Sequence, residues 1–167
     1  MTWLSPLLHK GRYLTRDLMV AATDEPEDEA EKDNATPSIF KAVVALTKGI
    51  EIPLPVGHHF VDKYDIPRDR VRVRWWDQDA TTYYRSAAIL SPGERTALPD
   101  MLIPEHAQLV VGDKPVFFGH YWLSETPSLQ SDRAVCVDYS AGKGGALVAY
   151  RCDGEPELSV ENFVWVD

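Results

Sequence analysis

The chain reads as an α+β domain, mostly antiparallel sheet with a few helices, and three features predict this. Arg70 to Asp77 alternates arginine with valine and then Trp75 until Trp76 breaks the period of two, which is the mark of a half-buried strand. The last third of the chain holds short apolar runs separated by glycine-bearing turns, a strand-rich pattern. Residues 36–49 carry helix signals at both ends. With 167 residues, the chain fits one domain and can bury a core without disulfide staples.

Taken in order, residues 1–35 form a poorly defined N-terminal segment. Leu4, Leu7, Leu8, Tyr13, Leu14, Leu18, Met19 and Val20 are spaced closer to a helix than to a strand. Thr23 to Asn34 then carries seven acids and one lysine, so it reads as a solvated acidic loop. Residues 36–167 form the structured portion. Thr36 suits an N-cap and Pro37 a first helical position. Ile39, Phe40, Val43, Val44 and Leu46 give that helix one apolar face, and Gly49 closes it in the left-handed conformation. Pro53 and Pro55 keep the following residues extended. In the alternating strand the valines point in and the arginines out.

Tyr83 to Leu90 reads as a second strand, and Ser91 to Glu105, with three prolines, as loop. Lys114 to Phe118 is a strand closed by Gly119 and His120. Ala134 to Asp138 and Ala146 to Arg151 flank the turn cluster Ala141–Gly145 and read as a hairpin. Asp153-Gly154 starts another turn, and Asn162 to Val166 reads as a last edge strand.

The net charge of −9 repels nucleic acid and anionic membrane at long range, although Arg68, Arg70, Arg72 and Arg74 are close enough to form a local basic groove. No apolar run reaches the ~20 residues that span a bilayer, and Met1 to Lys10 lacks the pattern of a signal peptide. The expected compartment is the cytoplasm, with neither nucleic acid nor membrane as a partner. Cys136 and Cys152 do not make a disulfide framework and read as small buried residues in strands.

Chemistry is sparse. There is no G-x-S-x-G elbow and no G-x-x-x-x-G-K-[ST] phosphate loop. His58 and His59 are adjacent, so on a strand their rings face opposite ways. His9 and His106 stand alone. His120 differs, because Val116-Phe117-Phe118-Gly119 places it at the end of a buried-type strand, where ligands commonly sit. A structural histidine explains the same pattern. Arg72 and Arg74 admit two readings: a clamp on phosphate oxygens with Trp76 stacking on a base, or the solvated face of an amphipathic strand over core tryptophans.

The run Lys114-Pro115-Val116-Phe117-Phe118-Gly119-His120-Tyr121-Trp122-Leu123 resembles the final block of bacterial calcineurin-like metallophosphoesterases, in the serine/threonine-phosphatase-like branch. The likeness continues through Val135 to Ser140 and Lys143 to Arg151. Upstream, Lys48 to Pro55 and Arg72 to Trp76 are also similar, so it runs from about residue 36 to the end.

This resemblance implies the back part of an αββα sandwich and a site for a divalent metal pair (Mn, Fe or Zn) that hydrolyses phosphoesters. It assigns His120 as a metal ligand. Some relatives carry a second histidine two positions later, where this chain has Trp122. The family's Asp-x-His, Gly-Asp-x-x-Asp-Arg and Gly-Asn-His-Glu blocks have no counterpart here and would precede Met1.

One imidazole does not hold two ions. The expectation is therefore a C-terminal segment that binds no metal stably and is inactive alone. It would act on a phosphorylated substrate only when completed by an N-terminal phosphoesterase chain, or it would self-associate through exposed sheet. A non-catalytic binding module built on the same fold is the alternative.

Overall fold

The computed structural model describes residues 15–23, 31, 33–34, 36–62, 65–88, 90–108 and 112–167. Leu4 to Leu14 and most of the acidic block lie outside the described residues. Of the first apolar series, Leu18, Met19 and Val20 fall in helix α1, Arg16–Ala21, which Thr15 caps through its side chain. Leu18 is half-buried, while Met19 and Val20 face solvent.

Helix α2 spans Ile39–Lys48. Its cap is Ser38 rather than Thr36: the Ser38 hydroxyl accepts from the Lys41 N–H, and Pro37 precedes the helix. Both hydroxyl residues suit the role, and the extended backbone of Ser38 decides it. Gly49 ends the helix at φ 79°, ψ −176°, a region only glycine adopts freely but not the left-handed helical one. Its hydrogen faces the phenol of Tyr121, and an added Cβ would collide with that Oη.

Strand β1, Glu51–Pro53, pairs antiparallel with β4, Arg70–Arg72. Strands β2, Phe60–Val61, and β3, Pro67–Arg68, make a small antiparallel ribbon between them. The alternation holds in space: Val71 and Val73 are buried while Arg70 and Arg72 are half-buried.

Tyr83 to Leu90 departs from the expected strand. Tyr83–Ser86 is a short helix, α3, capped by Thr82, and it buries Tyr83 and Ser86 on one face. Only the next residues turn extended, where Val73 and Ala87 form an isolated bridge. Residues 91–105 are less irregular than expected. Ser91 and Glu94 form a reciprocal capping box on helix α4, Pro92–Arg95, which satisfies two otherwise unpaired N–H groups.

Strand β5, Val116–Phe118, pairs parallel with β6, Ala134–Cys136, so the expected 134–151 hairpin does not form. All three β6 residues are fully buried, as befits a strand covered on both faces. Its run touches the following strand only at the bridge Asp138–Leu147. Residues Ala141–Lys143 form a 3-10 turn, too wide for a tight hairpin. Strand β7, Leu147–Tyr150, pairs instead with β8, Phe163–Val166, in a four-residue antiparallel register.

The result is α+β with mostly antiparallel pairing. One core gathers Ile52, Val71, Val73, Trp75, Trp76 and Tyr121 with their neighbours. A second gathers Val135, Tyr139, Val148 and Phe163. Cys136 is buried but Cys152 is exposed, and both thiols are free. No described helix is long and apolar enough to cross a membrane.

Candidate functional site: the loop after strand β5

The chain alternates sides as it leaves β5. Tyr121 turns inward, fully buried, and its hydroxyl donates to the Val73 carbonyl at 3.1 Å. Its ring meets Trp76 and Phe118 edge-on, with centroids 4.9 and 5.4 Å away, a favoured aromatic geometry. The residues on either side, His120 and Trp122, then point outward. Both hold left-handed backbones, at φ 72° and 50°. Such a conformation costs a non-glycine residue about 1–2 kcal/mol. The strand is closed by Gly119 and His120, and the positive φ falls on the histidine rather than the glycine.

Asp138 holds this loop in place. One carboxylate oxygen accepts the His120 backbone N–H at 2.8 Å. The other accepts the N–H of Ser140 at 3.2 Å, and Ser140 is itself left-handed, at φ 64°. The Asp138 carbonyl accepts from Leu123 N–H at 3.0 Å, while the Ser140 hydroxyl donates to the Leu123 carbonyl at 3.2 Å. The clamp thus joins the His120–Leu123 loop to the turn that carries Lys143.

The imidazole of His120 has no hydrogen-bond partner among the described residues. Partial burial pushes its pKa below 6.5, and Arg72 and Lys48 add to the effect against Asp138 and Glu51. The ring is therefore biased toward its neutral form, the form in which nitrogen can donate a lone pair.

Arg72 and Arg74 share a strand but not a site. Arg72 faces the His120 loop: its guanidinium lies 5.9 Å from the Tyr121 ring centroid and 3.7 Å from a Glu51 carboxylate oxygen. Its Nε is buried without a hydrogen-bond partner among the described residues. Arg74 is spent on the turn beyond β4, where Nε and Nη2 both donate to the Arg85 carbonyl and Nη2 lies 3.4 Å from Asp77. Trp76 is buried in the core and offers no face for a base.

The expected basic groove does not stand free either. Arg68 pairs with Asp62 and Arg70 with Asp33, each at 2.7 Å, so each of the four arginines has an acidic neighbour. His58 and His59 lie on the loop before β2, half-buried and exposed respectively.

The described residues do not fit a divalent metal pair. His120 offers one imidazole, and the carboxylate that holds its loop, Asp138, has both oxygens committed to backbone N–H groups. No group of three His, Cys, Asp or Glu side chains among the described residues is placed to hold an ion.

Trp122 and Lys143 were not among the residues singled out for binding. Trp122 is half exposed, its ring centroid lies 6.2 Å from that of His120, and the Lys143 ammonium sits 3.5 Å over its face. The left-handed backbone that turns Trp122 outward has no local sequence signal.

No family model matches the sequence, and no curated protein or solved structure matches it.

Proposed function

We propose that this chain supplies one wall of a metal-dependent phosphoesterase site, as the C-terminal part of a calcineurin-like αββα domain, and does not hydrolyse phosphoesters alone. The observation that carries the reading is His120. Its imidazole, without a hydrogen-bond partner among the described residues and biased toward its neutral form, stands on a strained backbone at the end of β5, within electrostatic reach of Arg72. Strain of this kind persists only where the surroundings over-determine it, and it gathers at functional sites. Arg72 would face phosphate oxygens bidentately. His120 would give one donor to an ion whose remaining ligands come from outside the described residues. Arg74 takes no part in this reading.

The outer face of the β7–β8 pair supports completion by further polypeptide or by a second copy. Leu147, Ala149, Val164 and Val166 sit opposite one another there and are all exposed, an apolar face of the sort that covers itself by association.

The test is p-nitrophenyl phosphate hydrolysis with manganese. Wild type alone should show no turnover above the His120→Ala variant. Mixing with a polypeptide that carries the Asp-x-His and Gly-Asn-His-Glu blocks should give turnover that needs His120. Activity of the isolated chain, or reconstituted activity indifferent to His120→Ala, would overturn the reading.

A further inference from the structure

Trp122 is placed in a way that neither core explains. Its ring belongs to neither apolar cluster, its backbone is left-handed, and half its surface meets solvent. Burying a tryptophan stabilises a fold, whereas displaying one on a strained backbone does not. The display is built in: Tyr121 is anchored in the core on one side, and Leu123 is tied to Asp138 and Ser140 on the other. The indole is thereby held beside the His120 imidazole with one face under the Lys143 ammonium. A flat apolar surface and a cation in van der Waals range of each other match a ligand that is itself flat at one end and anionic at the other.

We propose that Trp122 and Lys143 form the leaving-group subsite, selecting phosphate monoesters whose phosphate is borne on or close to a planar aromatic group. This rests on the phosphoesterase reading and names its substrate class. The aromatic group stacks on the indole in place of the Lys143 ammonium. The ammonium swings from the ring to the phosphate, which lies toward His120 and Arg72. Lys143 is exposed on the turn that Gly144 closes at φ 85°, so the exchange needs only side-chain rotation. Before a substrate arrives, the cation keeps the indole from meeting other apolar surfaces.

The experiment is a titration of the isotope-labelled chain with phenyl phosphate, adenosine 5′-monophosphate, glycerol 2-phosphate and adenosine. The readouts are the indole N–H of Trp122, assigned with Trp122→Leu, and the backbone resonances of the loop. Both aromatic phosphates should bind about tenfold more tightly than glycerol 2-phosphate, as stacking on an indole implies. Trp122→Leu should abolish that difference, and Lys143→Ala should weaken every phosphate. A stronger response to one aromatic phosphate than the other identifies the nucleotide or the simple aryl ester as the better fit.

Equal affinity for all three phosphates, insensitive to Trp122→Leu, would overturn the subsite and leave the phosphoesterase reading standing. Adenosine binding as well as its monophosphate would overturn both. A chain that shifts with none of the four probes would overturn the subsite as well.

Discussion

Replacing Asp138 should unfasten the His120 loop. Its carboxylate receives two backbone N–H groups, from His120 at 2.8 Å and Ser140 at 3.2 Å. Hydrogen bonds to a charged acceptor are worth about 1.5–3 kcal/mol each. Part of this is recovered, because both donors belong to left-handed residues whose strain of about 1–2 kcal/mol apiece is released once the loop lets go. Asp138→Ala should therefore destabilise the fold by about 1.5 kcal/mol, the gross value less the released strain, measured by urea unfolding followed through tryptophan fluorescence. Asp138→Asn should cost about half as much, since one amide oxygen still accepts while the amide NH2 opposes the second N–H. The amide resonances of His120 and Ser140 should move upfield as their partner is lost, with the β7–β8 ladder unaffected. A loss below about 1 kcal/mol for Asp138→Ala, or a response spread evenly over the chain, would refute the clamp.

His120→Gly should raise stability by up to about 1 kcal/mol in thermal unfolding, because glycine relieves the positive φ that the imidazole needs to be displayed. The imidazole itself should titrate below 6.5, seen by NMR. Because the folded pKa is lowered, the unfolded chain takes up its proton first. Stability from this group is full above 6.5 and falls as pH drops from there through the folded value. Arg72→Ala should move the midpoint upward, and an unmoved midpoint would remove the electrostatic contact between the two. Ser86 is fully buried with no partner for its hydroxyl among the described residues, so Ser86→Ala should be neutral or stabilising by up to about 1 kcal/mol in the same assay. Ellman's reagent should titrate Cys152 at once in the native protein. Cys136, buried and pushed up to about 11, should react only on unfolding.

What could be read from the sequence was what neighbours decide among themselves. The 39–48 helix announces itself through its period and its flanking hydroxyls and glycine. Which hydroxyl caps it, Ser38 or Thr36, turns on backbone angles that either residue accepts. The arginine–valine alternation also survives, because one buried face fixes the side of every residue. Tyr83 to Ser86 misled because tyrosine favours strands, while the Thr82 cap and the burial of Tyr83 outweigh that preference. The 134–151 hairpin misled because an apolar run does not name its partner: β6 chose the parallel β5 across a connection with no helix of its own. His120 was visible as the end of a strand. Its left-handed backbone was not, since the group that stabilises it, Asp138, stands 18 residues away. The same holds for Trp122, whose contact with Lys143 is made only once that turn folds back.

The close fit between Gly49 and Tyr121 makes the end of helix α2 a lever on the imidazole. A methyl at position 49 would have to displace the phenol, and the phenol is the adjoining pivot for His120 and Trp122 alike. A side chain at position 49 would therefore meet Tyr121 first, the residue that sits between His120 and Trp122.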